Sequence, residues 1–204
     1  MINNNCTAKQ KLLKVVFLDR DGVINRDSPD YIKSWSEFAF LPGSLKALKR
    51  LTQKGFTIIV ITNQSAVNRR IISRKDLDSI HSHMRSAVNA DGGKISDIFF
   101  CPHTPDDHCS CRKPKPGLIQ QAQSRYALDL ESAYMVGDSA KDIECAQNAG
   151  CGYAILVQTG NGAEAEKILT RKKISPDYVA ADLNDAANWI ISHDPSHAIH
   201  PKHA

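Results

Sequence analysis

No apolar run in this chain approaches membrane-spanning length, and residues 1–14 lack the hydrophobic core of a secretory signal, so a cytoplasmic protein is expected. Internal repeats and low-complexity stretches are missing too, which excludes solenoids and long linkers. Aromatic residues are scarce, at 6%, and do not interleave with basic ones. With a formal charge of only +4, that argues against nucleic acid as a partner, while leaving a small anion as a suitable ligand. What is present is the 42% hydrophobic and 24% charged balance of a globular chain, in 204 residues that can bury one sizeable core.

The organising stretch is Lys14-Val15-Val16-Phe17-Leu18-Asp19-Arg20-Asp21-Gly22. A β-branched apolar run reads as a fully buried strand over 15–18 and stops at two carboxylates one residue apart. If extended geometry persists, Asp19 and Asp21 project to one side and Arg20 to the other. Carboxylates that close need a cation between them or a shared proton. A Mg²⁺ ion at the strand end meets that need, and an ionised Asp beside it can attack phosphorus. The duller reading is a polar loop start.

Further apolar runs predict strands at 57–61, 95–100, 133–136, 153–157 and 178–180. Between them lie helical patterns. Pro42-Gly43 opens one that Gly55 ends, Ser73 and Asp76 suit a capping box, and residues 118–126 carry the next. Others span 139–149 before Gly150 and 163–169, and the last follows an Asp182 cap. Residues 26–36 show no period and read as a loop near the carboxylates. Alternating strands and helices give an α/β class: a Rossmann-like, doubly wound, mainly parallel sheet with helices on both faces. One such domain is expected over 14–192, as a monomer. A flexible arm at 1–13 and a disordered tail at 193–204 flank it, and no segment is long enough for a separate cap domain. Ligands of such sheets bind beyond the strands' carboxyl ends, which brings together Asp19, Asp21, Thr62, Asn63 and Asp138.

That set fits phosphate ester hydrolysis. Asp19 is the candidate nucleophile, Asp21 the acid/base, and Thr62 and Lys113 the stabilisers of the phosphoryl oxygens. Asp19, Asp138 and the Asp21 carbonyl are candidate Mg²⁺ ligands. Taken singly, Thr62 and Asn63 could only start a turn, Asp142 could cap a helix from Ser139, and Lys113 could be a surface charge. Six cysteines in a cytoplasmic chain are not expected to form disulfides. Cys101, His103, Cys109 and Cys111 fall in one loop and suit tetrahedral, structural Zn²⁺, with His108 a spare ligand. Cys6, Cys145 and Cys151 read as small hydrophobes. Arg112, Lys113 and Lys115 follow the thiolates and offset their charge, so the zinc's inferred role is to position Arg112 and Lys113.

Asp19-Arg20-Asp21-Gly22, Thr62-Asn63-Gln64, Arg112-Lys113 and Gly137-Asp138-x-x-x-Asp142 resemble, in order, the four motifs of the haloacid dehalogenase superfamily of phosphatases. The resemblance spans roughly 14–191 and implies an aspartyl-phosphate route with Mg²⁺. The Cys-His loop with Lys113-Pro114-Lys115-Pro116-Gly117 is similar to that of the zinc-bearing heptose 1,7-bisphosphate 7-phosphatases, and the histidinol-phosphatases share it. Ser65, Arg69 and Pro116-Gly117 favour the former, and with them a small phosphorylated sugar as substrate. That likeness implies substrate contacts from Asp27, Tyr31, Asn63, Gln64, Ser65, Arg69, Arg112 and Ser139. Arg70 and Ser139 depart from it, standing where such enzymes usually carry glycine and often lysine.

Overall fold

A computed structural model describes residues 13–194. The expected arm, apart from Leu13, and the tail from residue 195 onward, with Cys6, lie outside the described residues.

Six strands form one all-parallel sheet: β1 (Val15–Leu18), β2 (Thr57–Asn63), β3 (Ile95–Cys101), β4 (Tyr134–Gly137), β5 (Tyr153–Val157) and β6 (Tyr178–Ala180). Their order is β3-β2-β1-β4-β5-β6. The chain therefore winds outward from β1 in one direction and returns to add β4 on its other side, which opens a crevice between the carboxyl ends of β1 and β4. Every residue of β1 is fully buried, as a strand covered on both faces must be.

The two faces follow from strand alternation. Val16, Leu18, Ile58 and Val60 pack under α1 (Ser44–Gln53), α2 (Arg74–Ala90) and α6 (Leu183–Ser192). Val15, Phe17, Ile59 and Ile61 pack under α3 (Gly117–Tyr126), α4 (Ala140–Ala149) and α5 (Gly162–Lys172). Helix ends obey the expected caps. Ser73 Oγ accepts from the Asp76 N–H at 3.1 Å while Asp76 Oδ2 accepts from the Ser73 N–H at 2.9 Å. Asp182 accepts from the Asp185 N–H at 2.8 Å, and Gly150 closes α4 in the left-handed conformation. Residues 26–36 form a loop, with a 3₁₀ turn at Trp35–Glu37, and Trp35 stacks on Phe38 and on His83 of α2. Cys145 and Cys151 sit in the second core as small apolar groups. At the far end, His193 stacks on Trp189, and Lys14 donates to the buried Asp194 at 2.6 Å.

Candidate active site

β1 ends at Leu18, so the extended geometry expected through Asp21 does not persist. The Arg20 carbonyl at once receives the N–H groups of Val23, Ile24 and Asn25, and the chain turns. The turn needs Gly22, at φ +78°, because a Cβ there would lie 2.1 Å from Asp138 Oδ2. It also corrects the place of Arg20. Rather than pointing away, its guanidinium is 1% exposed and returns to Asp21, with Nη2 at 2.7 and 2.8 Å from the two carboxylate oxygens and Nε at 3.0 Å. Asn25 and Gln64 each donate to the same carboxylate at 2.8 Å. Burial alone would raise the pKa of Asp21, but the Arg20 charge and these bonds hold it below the ordinary carboxylate value.

Carboxylate oxygens of Asp19, Asp138 and Asp142 lie within 4.8 Å of one another. Lys113, 2% exposed, reaches in from the Cys-His loop, with Nζ 2.8 Å from Asp19 and 2.6 Å from Asp142, and donates to the Ile61 carbonyl at 2.9 Å. The other oxygen of Asp142 takes the N–H and O–H of Ser139 at 3.0 and 2.7 Å, so it both caps α4 and pairs with Lys113. Burial pushes Asp19 up to about 6, against the pull of Lys113 and with the repulsion of Asp142. Burial, with Asp19 and Asp142 adding to it, pushes Asp138 up to about 8. Hard oxygen donors crowded at a strand end, with Asp19 and Asp138 pushed up by burial and by their carboxylate neighbours, fit Mg²⁺. Asp19 and Asp138 would hold it, with the main-chain carbonyl of Asp21, whose carboxylate is committed elsewhere.

The last residue of β3 and the loop after it fit Zn²⁺ more sharply. Cys101 Sγ lies 3.5 Å from His103 Nδ1 and 3.6 Å from Cys109 Sγ, and Cys111 Sγ lies 3.5 Å from Cys109 Sγ and 3.3 Å from His103 Nδ1. A tetrahedron of thiolates about 2.3 Å from zinc has edges of about 3.8 Å, and about 3.5 Å toward an imidazole nitrogen. His108 is not in the cluster. Arg112 donates to the His103 carbonyl at 3.0 Å, and Lys115 to that of Cys109 at 2.7 Å, tying both cations to the loop.

A cavity of about 620 Å³ opens over the strand ends. Asp27, Tyr31, Asn63, Gln64, Ser65, Arg112 and Ser139 line it as expected, but Arg69 does not; it is exposed on the turn after β2. Several lining groups are engaged with protein partners. Asn63 accepts from the Lys113 N–H at 3.1 Å and donates to the Lys113 carbonyl at 3.3 Å, which makes it a clamp on that residue's backbone. Gln64 donates to Thr62 Oγ1 at 2.9 Å, leaving the threonine proton free to face a ligand. Residues with no sequence signal also line the cavity: Lys141, Glu144, Asn161, Glu164 and Lys172. They sit on the first turns of α4, at the N-cap of α5 and along α5, and only the sheet topology brings those segments over β1. Among the described residues no helix is long and apolar enough to cross a membrane.

Comparison with known proteins agrees with this geometry. The family model described as haloacid dehalogenase-like hydrolase matches residues 1–147, and a related hydrolase-like model matches residues 110–186. The chain is 47% identical over 150 residues, 74% of its length and 83% of the relative's, to a D-glycero-β-D-manno-heptose-1,7-bisphosphate 7-phosphatase of Bordetella bronchiseptica. A Pseudomonas putida protein of the same name is 43% identical over 179 residues, 88% of this chain and 100% of that one. The crystal structure of the B. bronchiseptica D,D-heptose 1,7-bisphosphate phosphatase, complexed with magnesium and phosphate, superposes with a TM-score of 0.83 at 42% identity, covering 88% of this chain and 99% of that one. Motif order, strand-end geometry and these likenesses lead to one assignment: the chain belongs to the haloacid dehalogenase-like hydrolases.

Proposed function

We propose that the chain is a Mg²⁺-dependent phosphatase that removes the C7 phosphate of D-glycero-D-manno-heptose 1,7-bisphosphate, leaving heptose 1-phosphate for nucleotide-activated heptose synthesis. The observation that carries this is the buried Lys113 between Asp19 and Asp142, beside Asp138, lining the strand-end cavity. Relatives at 43–47% identity bear the name of the β-anomer enzyme, and we carry that preference over.

An Asp19 carboxylate oxygen bonds to phosphorus as the bond from phosphorus to the C7 oxygen breaks, and that oxygen takes a proton from Asp21. Asp21 takes this proton from solvent water as the phosphoryl dianion approaches, since like charge raises a carboxyl pKa. In the second step Asp21 removes a proton from water while the water oxygen bonds to phosphorus. The bond between phosphorus and the Asp19 oxygen then breaks, which frees inorganic phosphate. Lys113 fixes Asp19 and offsets charge, and the Thr62 hydroxyl donates to a phosphoryl oxygen. Mg²⁺ at Asp19, Asp138 and the Asp21 carbonyl neutralises phosphoryl charge when bound. Cys101, His103, Cys109 and Cys111 would hold Zn²⁺, which would brace the loop that carries Arg112 and Lys113. Arg112, Asp27 and Tyr31 are the cavity groups placed to hold the sugar and its C1 phosphate.

The unit that does this is the single domain over 14–192. We place it in the cytoplasm as a monomer, with no nucleic-acid or membrane partner, in keeping with its modest charge of +4. Phosphate release from both anomers of the bisphosphate, histidinol phosphate and nucleotides, each with Mg²⁺, tests the assignment. The β bisphosphate should be turned over fastest. A tenfold preference for histidinol phosphate would replace the substrate, and faster turnover of the α anomer would reverse the anomer.

A further inference from the structure

The turn after β5, Thr159-Gly160-Asn161, belongs to none of the motifs, yet it reaches the strand-end site. Thr159 Oγ1 donates to the Gly22 carbonyl at 2.6 Å, which ties this turn to the one carrying Asp19 and Asp21. The Asn161 main-chain N–H donates to Asp138 Oδ2 at 2.8 Å, and its side-chain Nδ2 lies 3.1 Å from the same oxygen. That Nδ2 is also 3.2 Å from Asp27 Oδ2. An amide NH₂ has two protons, so it can serve both carboxylates at once. Gly160 makes the approach feasible: at φ +58°, a Cβ there would lie 2.2 Å from Asp138 Oδ2 and 2.7 Å from the Gly22 Cα.

Both donors land on Oδ2, and none of the described hydrogen bonds uses Oδ1 of Asp138. A carboxylate that accepts two hydrogen bonds on one oxygen is held in a single rotamer, with the other oxygen uncommitted. We propose that Asn161 is a positioning residue that holds Asp138 ready for the metal and links that ligand to the Asp27 loop. Metal affinity and the placement of the loop over the cavity are thereby coupled. The inference rests on Asp138 being a Mg²⁺ ligand, as argued above. Partners that orient a metal's ligands commonly change its affinity by 10–100-fold. Because the main-chain N–H survives side-chain truncation, the lower end of that range applies. Coupling through one amide is reciprocal, so loosening Asp27 must weaken the metal as well.

Titration calorimetry of the full chain with Mg²⁺ alone tests this, with thermal unfolding in EDTA recorded for each variant. Wild type should bind Mg²⁺ and Asp138→Asn should lose most of the affinity; equal binding by both would overturn the Mg²⁺ reading itself. With that established, Asn161→Ala should weaken binding about tenfold. Its Tm in EDTA should stay within about 2 °C of wild type, below the shift that 1 kcal/mol gives a domain of this size. Asp27→Ala should weaken binding less, and adding it to Asn161→Ala should change nothing further. An Asn161→Ala affinity within twofold of wild type would overturn the proposal. Fully additive losses from Asn161 and Asp27 would overturn the coupling.

Discussion

Replacing Lys113 with methionine keeps the unbranched stem, one atom shorter, and removes its charge. The structure sets how much that should matter. The ammonium is 2.8 Å from Asp19 and 2.6 Å from Asp142, two ion pairs of roughly 6 kcal/mol each before desolvation at an effective dielectric of about 20. Most of that gross attraction offsets the burial of three charges. What Lys113→Met leaves is Asp142, fully buried, with no cation beside it, and breaking a buried pair in this way costs about 3–5 kcal/mol. For a domain of this size the Tm should fall by roughly 10 °C in EDTA. Mg²⁺ should recover part of the loss, because a cluster with one cation fewer attracts a divalent ion more strongly. Turnover should fall by about 10²–10³, the effect of removing one stabilising donor at a phosphoryl or oxyanion site. Thermal unfolding with EDTA or excess Mg²⁺, alongside phosphate release, measures all three quantities. A variant melting within 2 °C of wild type and keeping over about a tenth of its rate would show that the strand-end charges are not balanced through Lys113.

Asp19→Asn should abolish turnover without lowering the Tm, since the amide is a poor nucleophile and a repelled carboxylate is lost; retention of more than about a hundredth of the rate excludes the covalent route. Without metal, Asp138 titrates near 8 in the folded chain, above its ordinary value, so folded apoprotein loses this contribution as pH rises toward 8. Mg²⁺ displaces that proton, so binding at pH 7 should release close to one proton per ion and tighten between pH 6 and 8. Calorimetry in two buffers of different ionisation enthalpy reads the number, and zero release would contradict a protonated Asp138. Stripping Zn²⁺ with a chelator and restoring excess Mg²⁺ should lower both Tm and activity, whereas unchanged values would refute a loop held by zinc. Cys109→Ala should reduce stability more than turnover per folded molecule, as circular dichroism and active-site titration would show.

Much of this was legible in the residues. β-branched runs marked the strands because a doubly covered sheet leaves no polar face, and β5 and β6 fell on their expected bounds. Asp19 and Asp138 were legible because strand ends of parallel sheets converge on one rim. The Cys-His spacing was equally readable, since its ligands are local. Arg20 was misplaced because alternation was carried past the end of β1, whereas the chain turns at the Arg20 carbonyl. Asn63 lines the cavity as its place after β2 suggested, but its grip on the backbone of a residue 50 positions away had no local signal. Asn161 had no signal at all, because its partners Asp27 and Asp138 meet it only in three dimensions.

The lysine that pairs with the proposed nucleophile rides on a segment whose regular structure is one short 3₁₀ turn at Pro105–Asp107, tied at one side by Asn63 and carrying at the other the four residues that would hold Zn²⁺. With both sites filled as proposed, the enzyme would answer to two separate metal supplies. Under zinc starvation its magnesium-dependent chemistry would fade although magnesium was plentiful, because the missing ion is the one that never meets the phosphate.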